Sequence, residues 1–426
     1  MARSLRIRGA GALLAVIAVA LFGVQSLAAQ AKPIELTYWY AYSGVVQQTN
    51  ETLISTFNET VGKQKGIHVT GSTQGGYPEV LQKVQAATIA GNPPNIFVLD
   101  VGVTSMMAMN GLMEPLDARV AADKLDIADF QPSFLKSCTY AGKLYGLPFM
   151  SSNLILYMNT TLLKQAGLDP AGPKTWDELA RYCQTIKEKT GAYGLTLASD
   201  PWFMEVMLVA AGTSILSDDE KSTNINSKAS RDAVKYWRDL KDAGYIRIMA
   251  SADSAKIMSD VTNQKAAMWF YSTAGITTFM GMGTKAGFTV NTAFVPKLAN
   301  YGTSVGGSNL LISSKGSRQE KDAAWEFLKW ATATEQTVFT SSKTGYMPSR
   351  KSAIDSPTMK AIYAALPQFK VAIDQMAYAD GRPTNPGYNE AINVVKSALD
   401  AVWVNGQNID AVFADAQKSI DKLLNE

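Results

Sequence analysis

The chain of 426 residues holds a single histidine, His68, and two cysteines, Cys138 and Cys183. One histidine excludes a His-based metal cluster and, placed inside the strand-like run Ile67-His68-Val69, reads as structural rather than as the base of a serine triad. There is no Cys-x-x-Cys and no phosphate-binding loop ending in Gly-Lys-Ser/Thr. The glycines of Gly281-Met-Gly283-Thr-Lys-Ala-Gly287 miss the dinucleotide-binding spacing and read as a loop. Internal repeats and low-complexity tracts are also lacking. Beyond the N-terminus no stretch stays apolar over the ~18 residues a membrane-spanning helix needs.

What is present begins with an export signal over residues 1–31. Arg3, Arg6 and Arg8 precede an apolar run from Ala10 to Val24, and Ala29-Gln30-Ala31 is a small-x-small cleavage site. No cysteine lies near that site, so a lipid anchor is not expected, and the mature chain is expected to be soluble and periplasmic. The 40 basic and 37 acidic residues of the whole chain include the three leader arginines, so the mature chain balances at 37 of each. A neutral chain has no clustered basic surface for nucleic acid, and any anion site in it must be local. Cleavage after residue 31 of 426 leaves 395 residues, 46% of the whole chain being hydrophobic, which makes two lobes the default over one core. Cys138 and Cys183 in an oxidising compartment leave two outcomes open, a disulfide or two buried thiols.

Along the chain, Ile34 to Tyr40, Ile67 to Gly71 and Asn95 to Leu99 read as strands, with helices Gln47 to Asn58 and Glu79 to Ala90 between them. This β-α-β-α-β order implies a parallel sheet with ligands beyond its carboxyl ends, where Tyr77 and Asp100 fall. Phe130 to Tyr140 reads as helix, Lys143 to Leu147 as strand, Pro148 to Ser152 as a connection, and Leu154 to Asn159 as strand. Thr175 to Glu178 is a capping box, Gly194 to Ala198, Ala266 to Tyr271 and Phe288 to Phe294 are strands, and Arg231 to Ala243 is a helix. Gly306-Gly307-Ser308-Asn309 reads as a turn before a strand, Leu310 to Ser313. A helix around Glu320 to Glu335 follows, then a loop at Gly345 that aims Tyr346. After Ser352 the chain is mostly helical, broken by one loop from Asp380 to Gly387.

A local anion site needs neutral donors and one fixed cation. Arg382 can grip two phosphate oxygens through its planar fork, in a loop stiffened by Pro383 and Pro386. Gly307 can offer a bare N–H, and Ser152, Ser272 and Tyr346 can offer hydroxyls without net charge. Asp100, the lone carboxylate of this set, suits sugar or glycerol hydroxyls rather than phosphate. Tyr77 and Trp202 can cover a ligand's C–H surface, although Trp202 serves core packing equally well. Met106-Met107 reads as core.

The runs Gly-Asn-Pro-Pro-Asn-Ile at 91–96, Gly-Lys-Leu-Tyr-Gly-Leu-Pro-Phe at 142–149, Tyr-Met-Asn at 157–159, Gly-Leu-Asp-Pro at 167–170, Lys-Thr-Trp at 174–176 and Ala-Ala-Met at 266–268 stand in one order. With the Gly306-Gly307-Ser308 and Lys-Thr-Gly-Tyr-Met-Pro segments, they resemble the solute-binding proteins of bacterial ABC importers, above all those for glycerol 3-phosphate. That resemblance covers essentially the whole mature chain. It implies an α/β, two-lobed periplasmic binding protein fold (type II) with a cleft between lobes and three hinge crossovers. One lobe is expected at 32–128 plus 307–350 and the other at 129–306 plus 351–426. It also implies a monomeric receptor, not an enzyme, with neither cofactor nor metal, delivering a small ligand to ABC transporter membrane subunits. Tyr77, Ser152, Ser272, Gly307 and Tyr346 match the family's ligand-binding positions, Arg382 does so after one inserted or shifted residue, and Asp100 and Trp202 depart from the pattern, Trp202 by aligning less cleanly. Asp100 stands where the family carries the longer glutamate. The expected cargo is a glycerol phosphate or its diester. The alternatives are an uncharged oligosaccharide, whose cleft would hold more acids and aromatics, and a secreted hydrolase, which would need metal ligands or paired carboxylates.

Overall fold

The computed structural model describes residues 32–426, so the export signal expected over 1–31 lies outside the described residues. Alternating side chains give β1 (Ile34–Tyr40) and β2 (Ile67–Thr73), which pair in parallel, and β3 (Ile96–Asp100) lies parallel on the other side of β1. This is the arrangement expected from the β-α-β-α-β order. A short hairpin follows, β4 (Thr139–Tyr140) and β5 (Lys143–Leu144), then β6 (Gly146–Asn159), β7 (Tyr193–Ala198) and β8 (Ile246–Met249). The series ends with β9 (Ala266–Ser272), β10 (Val290–Ala293), β11 (Thr303–Ile312) and β12 (Ala379–Asp380). In space the strands run β2-β1-β3-β11-β6-β9-β7-β8, with β10 on β6 and β12 on β11.

Two parallel halves are thus joined through an antiparallel pair, β11 with β6. From Ser308 to Ile312, β11 pairs with β3 of the first half, while β6 pairs from Leu154 onward with β9 of the second. Each half has its own core. Leu36, Phe57, Val98 and Phe327 belong to one, and Leu156, Trp176, Trp237 and Trp403 to another. Two separate cores linked by shared strands are what makes the molecule two-lobed.

Several expectations need correction. Pro148 to Ser152 does not connect two strands, because β6 runs through it as 14 fully buried residues. Gly306-Gly307 likewise lies inside β11. Both strands bend instead of ending: the pairing register slips between Gly307 and Ser308, and Met150 takes a positive φ of 50°. Of Phe130 to Tyr140 only Pro132–Lys136 is α-helical, Thr139–Tyr140 being β4, and the hairpin turns through Ala141 and Gly142, both at positive φ. Gly281 to Gly287 is not a loop but part of the helix Ile276–Ala286, with Gly287 ending it at φ 79°. Gly283 is tolerated there because a Cβ would lie 2.8 Å from the Phe288 carbonyl, so the missing side chain permits that close approach. The expected helix to Glu335 divides into Arg318–Ala331 and Thr334–Thr344. Half the capping box holds: Thr175 accepts from the Glu178 N–H, but Glu178 reaches back to the Lys174 N–H. Cys138 and Cys183 are free thiols buried in different cores, which settles the open pairing against a disulfide. His68 lies on β2, its Nδ1 2.8 Å from Glu35, as a structural role requires, and Met107 is core.

Candidate functional site

The eight candidate residues gather around the crossing of β6 and β11. Ser152 faces Gly306 and Ser151 faces Gly307. The two glycines act differently. Gly307 holds φ at 95°, and a Cβ there would lie 2.1 Å from the Met150 carbonyl. Gly306 has ordinary backbone geometry, but a Cβ would lie 2.6 Å from Cζ2 of Trp202, so its bareness seats the indole on the strand. Ser308 then directs its Oγ to the Phe149 carbonyl (3.0 Å) and to the Tyr42 hydroxyl (2.6 Å).

The helix Pro201–Ala210 begins here, capped by Asp200, whose Oδ1 accepts from the Trp202 N–H at 2.7 Å. It carries Trp202 on its first turn and Glu205 on its second. The Trp202 indole donates to the Ser304 carbonyl (3.2 Å), and its ring lies 5.5 Å from the Arg382 guanidinium carbon. Asp100, Asp200, Trp202, Arg382 and Tyr388 line one cavity. Trp202 is therefore at the candidate site as well as packed.

Arg382 is not an open fork. Its Nε donates to the Val305 carbonyl (2.8 Å), and Nη1 donates to both the Tyr388 hydroxyl (2.8 Å) and the Glu205 carboxylate. Glu205 also accepts from Tyr388 and from Ser304 Oγ (3.2 Å). Nη2 has no acceptor among the described residues and is the remaining donor edge. The Arg382 loop is also held by Glu220, whose carboxylate accepts from the Thr384 and Asn385 N–H groups at 2.7 and 2.6 Å.

Glu205 also corrects the reading of Asp100 as the lone carboxylate. Burial raises Glu205 to a pKa of about 7; Arg382 and Ser304 oppose the rise, while Asp100 and Asp200 add to it. Asp100 is raised too, first by burial, against the pull of Arg382 and of the Gly102 N–H that its Oδ1 accepts at 2.8 Å. Three carboxylates thus surround one guanidinium. The signal for Glu205 was available, since it is the one charged residue in a ten-residue helix that is otherwise apolar. Tyr388 and Tyr42 carried no comparable signal.

On the other side stand neutral groups. Tyr77 opens the helix Tyr77–Ile89, and its buried hydroxyl, near Ser308 and Tyr346, forms no hydrogen bond within the described residues. Burial pushes Tyr346 to about 12 and raises Tyr77 as well, so both are donors at neutral pH. Tyr346 is aimed by Gly345, at φ 103°, where a Cβ would lie 2.6 Å from the Thr273 carbonyl. Ser272, one residue earlier, uses its Oγ to accept from the Ala274 N–H at 3.2 Å. Among the described residues there is no cluster of His, Cys, Asp and Glu able to hold a metal, and no helix long and apolar enough to cross a membrane.

The arrangement can receive a small polar solute: one positive edge, carboxylate acceptors, free hydroxyls and flat aromatic faces. Comparison with known proteins agrees. Residues 52–371 match the model of a family described as bacterial extracellular solute-binding protein. The sn-glycerol-3-phosphate-binding periplasmic protein UgpB of Escherichia coli K12 is 25% identical over 412 residues, covering 91% of this chain and 92% of that one. UgpB from Mycobacterium tuberculosis, solved in complex with glycerophosphocholine, superposes with a TM-score of 0.81 at 24% identity, over 92% of this chain and 98% of that one. The GacH receptor of Streptomyces glaucescens, solved unliganded and with acarbose, gives 0.84 at 24% identity, over 92% and 99%. The chain belongs to the bacterial extracellular solute-binding protein family, whose members bind small ligands and deliver them to the membrane subunits of ABC importers.

Proposed function

We propose that this receptor is periplasmic and that its cargo is a glycerol phosphate or glycerophosphodiester. The carrying observation is the uncommitted Nη2 edge of Arg382, the one cation on a cavity wall that it shares with Asp100 and Asp200. Phosphate oxygens suit that edge with the hydroxyls of Tyr77 and Tyr346, and Asp100 suits the glycerol hydroxyls. Ser152, Ser272 and Gly307 belong to the same site in this reading, and Trp202 and Tyr77 cover the ligand's C–H surface. Relatives named for glycerol 3-phosphate and solved with glycerophosphocholine support it. The lobes are taken as 32–128 plus 307–350 and 129–306 plus 351–426, in a monomer that closes by a hinge and performs no chemistry on its ligand.

A second reading, an uncharged sugar, is favoured by the three carboxylates and the aromatic rings around Arg382, and the acarbose-binding likeness of GacH supports it. Mass spectrometry of the small molecule that co-purifies with the protein separates the two. A glycerophosphate or diester is expected, and a phosphorus-free saccharide would overturn the first reading. Turnover of a glycerophosphodiester by the pure protein would overturn the receptor role. Small-angle scattering should show a smaller radius with ligand, and an unchanged radius at saturation would remove the hinge.

A further inference from the structure

We infer that Glu205 sets the charge the site accepts: by holding Arg382 through Nη1 and cancelling its charge, it favours a singly charged phosphodiester over a doubly charged phosphomonoester. This rests on the glycerol phosphate reading. The geometry is specific. Glu205 is 4% exposed, Arg382 is 7% exposed, and the two share Tyr388, whose hydroxyl donates to one and accepts from the other. Both Nη1 hydrogens are thereby used, so the ligand meets the guanidinium through Nη2, from the side away from Glu205.

The groups facing Glu205 come from every neighbouring element. Asp200 caps its own helix, Ser304 comes from β11, and Asp100 ends β3. Arg382 and Tyr388 come from the segment after β12. Behind it, a second cavity shared with Glu205 carries Lys136 against Asp218, Glu220 and Asp380. Around the guanidinium the charge is one cation against three carboxylates, of which Asp100 and Asp200 line the ligand-side cavity. A phosphodiester adds one negative charge to this set and a phosphomonoester adds nearly two, so each carboxylate penalises the monoester more. Glu205 is the carboxylate bonded to the cation and has a pKa of about 7, so an arriving anion raises it further and draws a proton onto it.

The test is calorimetry with sn-glycerol 3-phosphate and glycerophosphoglycerol, between pH 6.5 and 8, in buffers of different ionisation enthalpy. The wild-type protein should bind the diester more tightly and take up a fraction of a proton on binding. Glu205→Gln should move the ratio of the two affinities toward the monoester by ~10-fold and abolish the uptake that Glu205 supplies. The monoester's own proton, with a second pKa of about 6, contributes alike to both proteins, so the difference between them reads Glu205. An unchanged ratio and an unchanged uptake in Glu205→Gln would overturn the inference. Should that variant fold poorly, Ser304→Ala removes a bond that lowers the Glu205 pKa and should move proton uptake to higher pH; an unmoved profile there would also overturn it. Failure of the wild-type protein to bind either compound would instead sink the glycerol phosphate reading.

Discussion

The two sides of the candidate site solve burial in opposite ways. Around Arg382 all but one edge is engaged before any ligand: Nε and Nη1 of the guanidinium, both oxygens of Glu205, and the Tyr388 hydroxyl between them. Around Tyr77 a buried hydroxyl is left without a bond inside the protein. The difference follows from the size of the penalty. A buried charge without its partner costs ~3–5 kcal/mol, while a neutral group left unsatisfied costs ~1–3 kcal/mol. Charge therefore has to be held before the ligand arrives, and a phenol can wait for it. The Arg382 side should carry both folding and binding, and the Tyr77 side binding alone.

The largest expected break of this contrast is Arg382→Ala. It strands Glu205 among Asp100 and Asp200 and should lower stability by ~3–5 kcal/mol, read by thermal or urea denaturation. The same change should weaken binding of an anionic glycerol ester ~30-fold or more, because a charged hydrogen bond is lost where no global field draws the anion. Arg382→Lys should recover part of each, since an ammonium cannot reach the Val305 carbonyl, Glu205 and the ligand from one plane. A variant that melts like wild type would show that the ion pair is not structural and would erase the contrast.

A smaller effect tests the same side through pH. Glu205 is raised from 4.5 to about 7, so between those values the native protein holds a proton that the unfolded chain has released. A protonated group favoured by the native state stabilises it fully below pH 4.5, and that contribution is lost as pH rises through about 7. Relative to Glu205→Gln, which cannot titrate, wild-type stability should fall by about 3 kcal/mol from pH 4.5 to 8, at 1.36 kcal/mol per pKa unit. Asp100 is raised in the same direction but is common to both proteins, so the difference isolates Glu205. A flat difference curve would mean that Arg382 keeps Glu205 ionised throughout.

The sequence made the parallel β1-β2-β3 half legible, because the alternating, β-rich run Ile34 to Tyr40 and the helices between strands are local signals. It was misleading at Pro148 and at Gly306-Gly307. There, turn residues lie inside strands whose continuity comes from pairing across more than 150 residues of chain, a contact that no local pattern records. Gly281 and Gly283 misled for the converse reason: a helix accepts glycine where a neighbour must come close. The eight residues expected at the site do meet around one strand crossing. What was missed is the counter-ion. Asp100 was legible at a strand end, but the role of Glu205 depends on the Arg382 loop folding back onto β11 and α-helical Pro201–Ala210, held by Glu220.

The smallest effect is the sharpest test of the contrast, because its two readouts have opposite signs. Tyr77→Phe removes a hydroxyl that has no hydrogen-bond partner in the protein and keeps the ring packed against the first lobe's core. Deleting an unsatisfied buried polar group relieves its desolvation cost, so the ligand-free protein should gain up to ~1 kcal/mol of stability. If that hydroxyl waits for the ligand, the variant should also bind ~5- to 10-fold more weakly, the worth of one neutral hydrogen bond of ~1–1.5 kcal/mol. Tyr42→Phe supplies the control, since the Tyr42 hydroxyl is already bonded to Ser308 at 2.6 Å; it should lose stability. Loss of stability in both variants would mean that Tyr77 is bonded internally to Ser308 or Tyr346. The neutral side of the site would then be as fully engaged as the charged side, and the division of labour between them would fall.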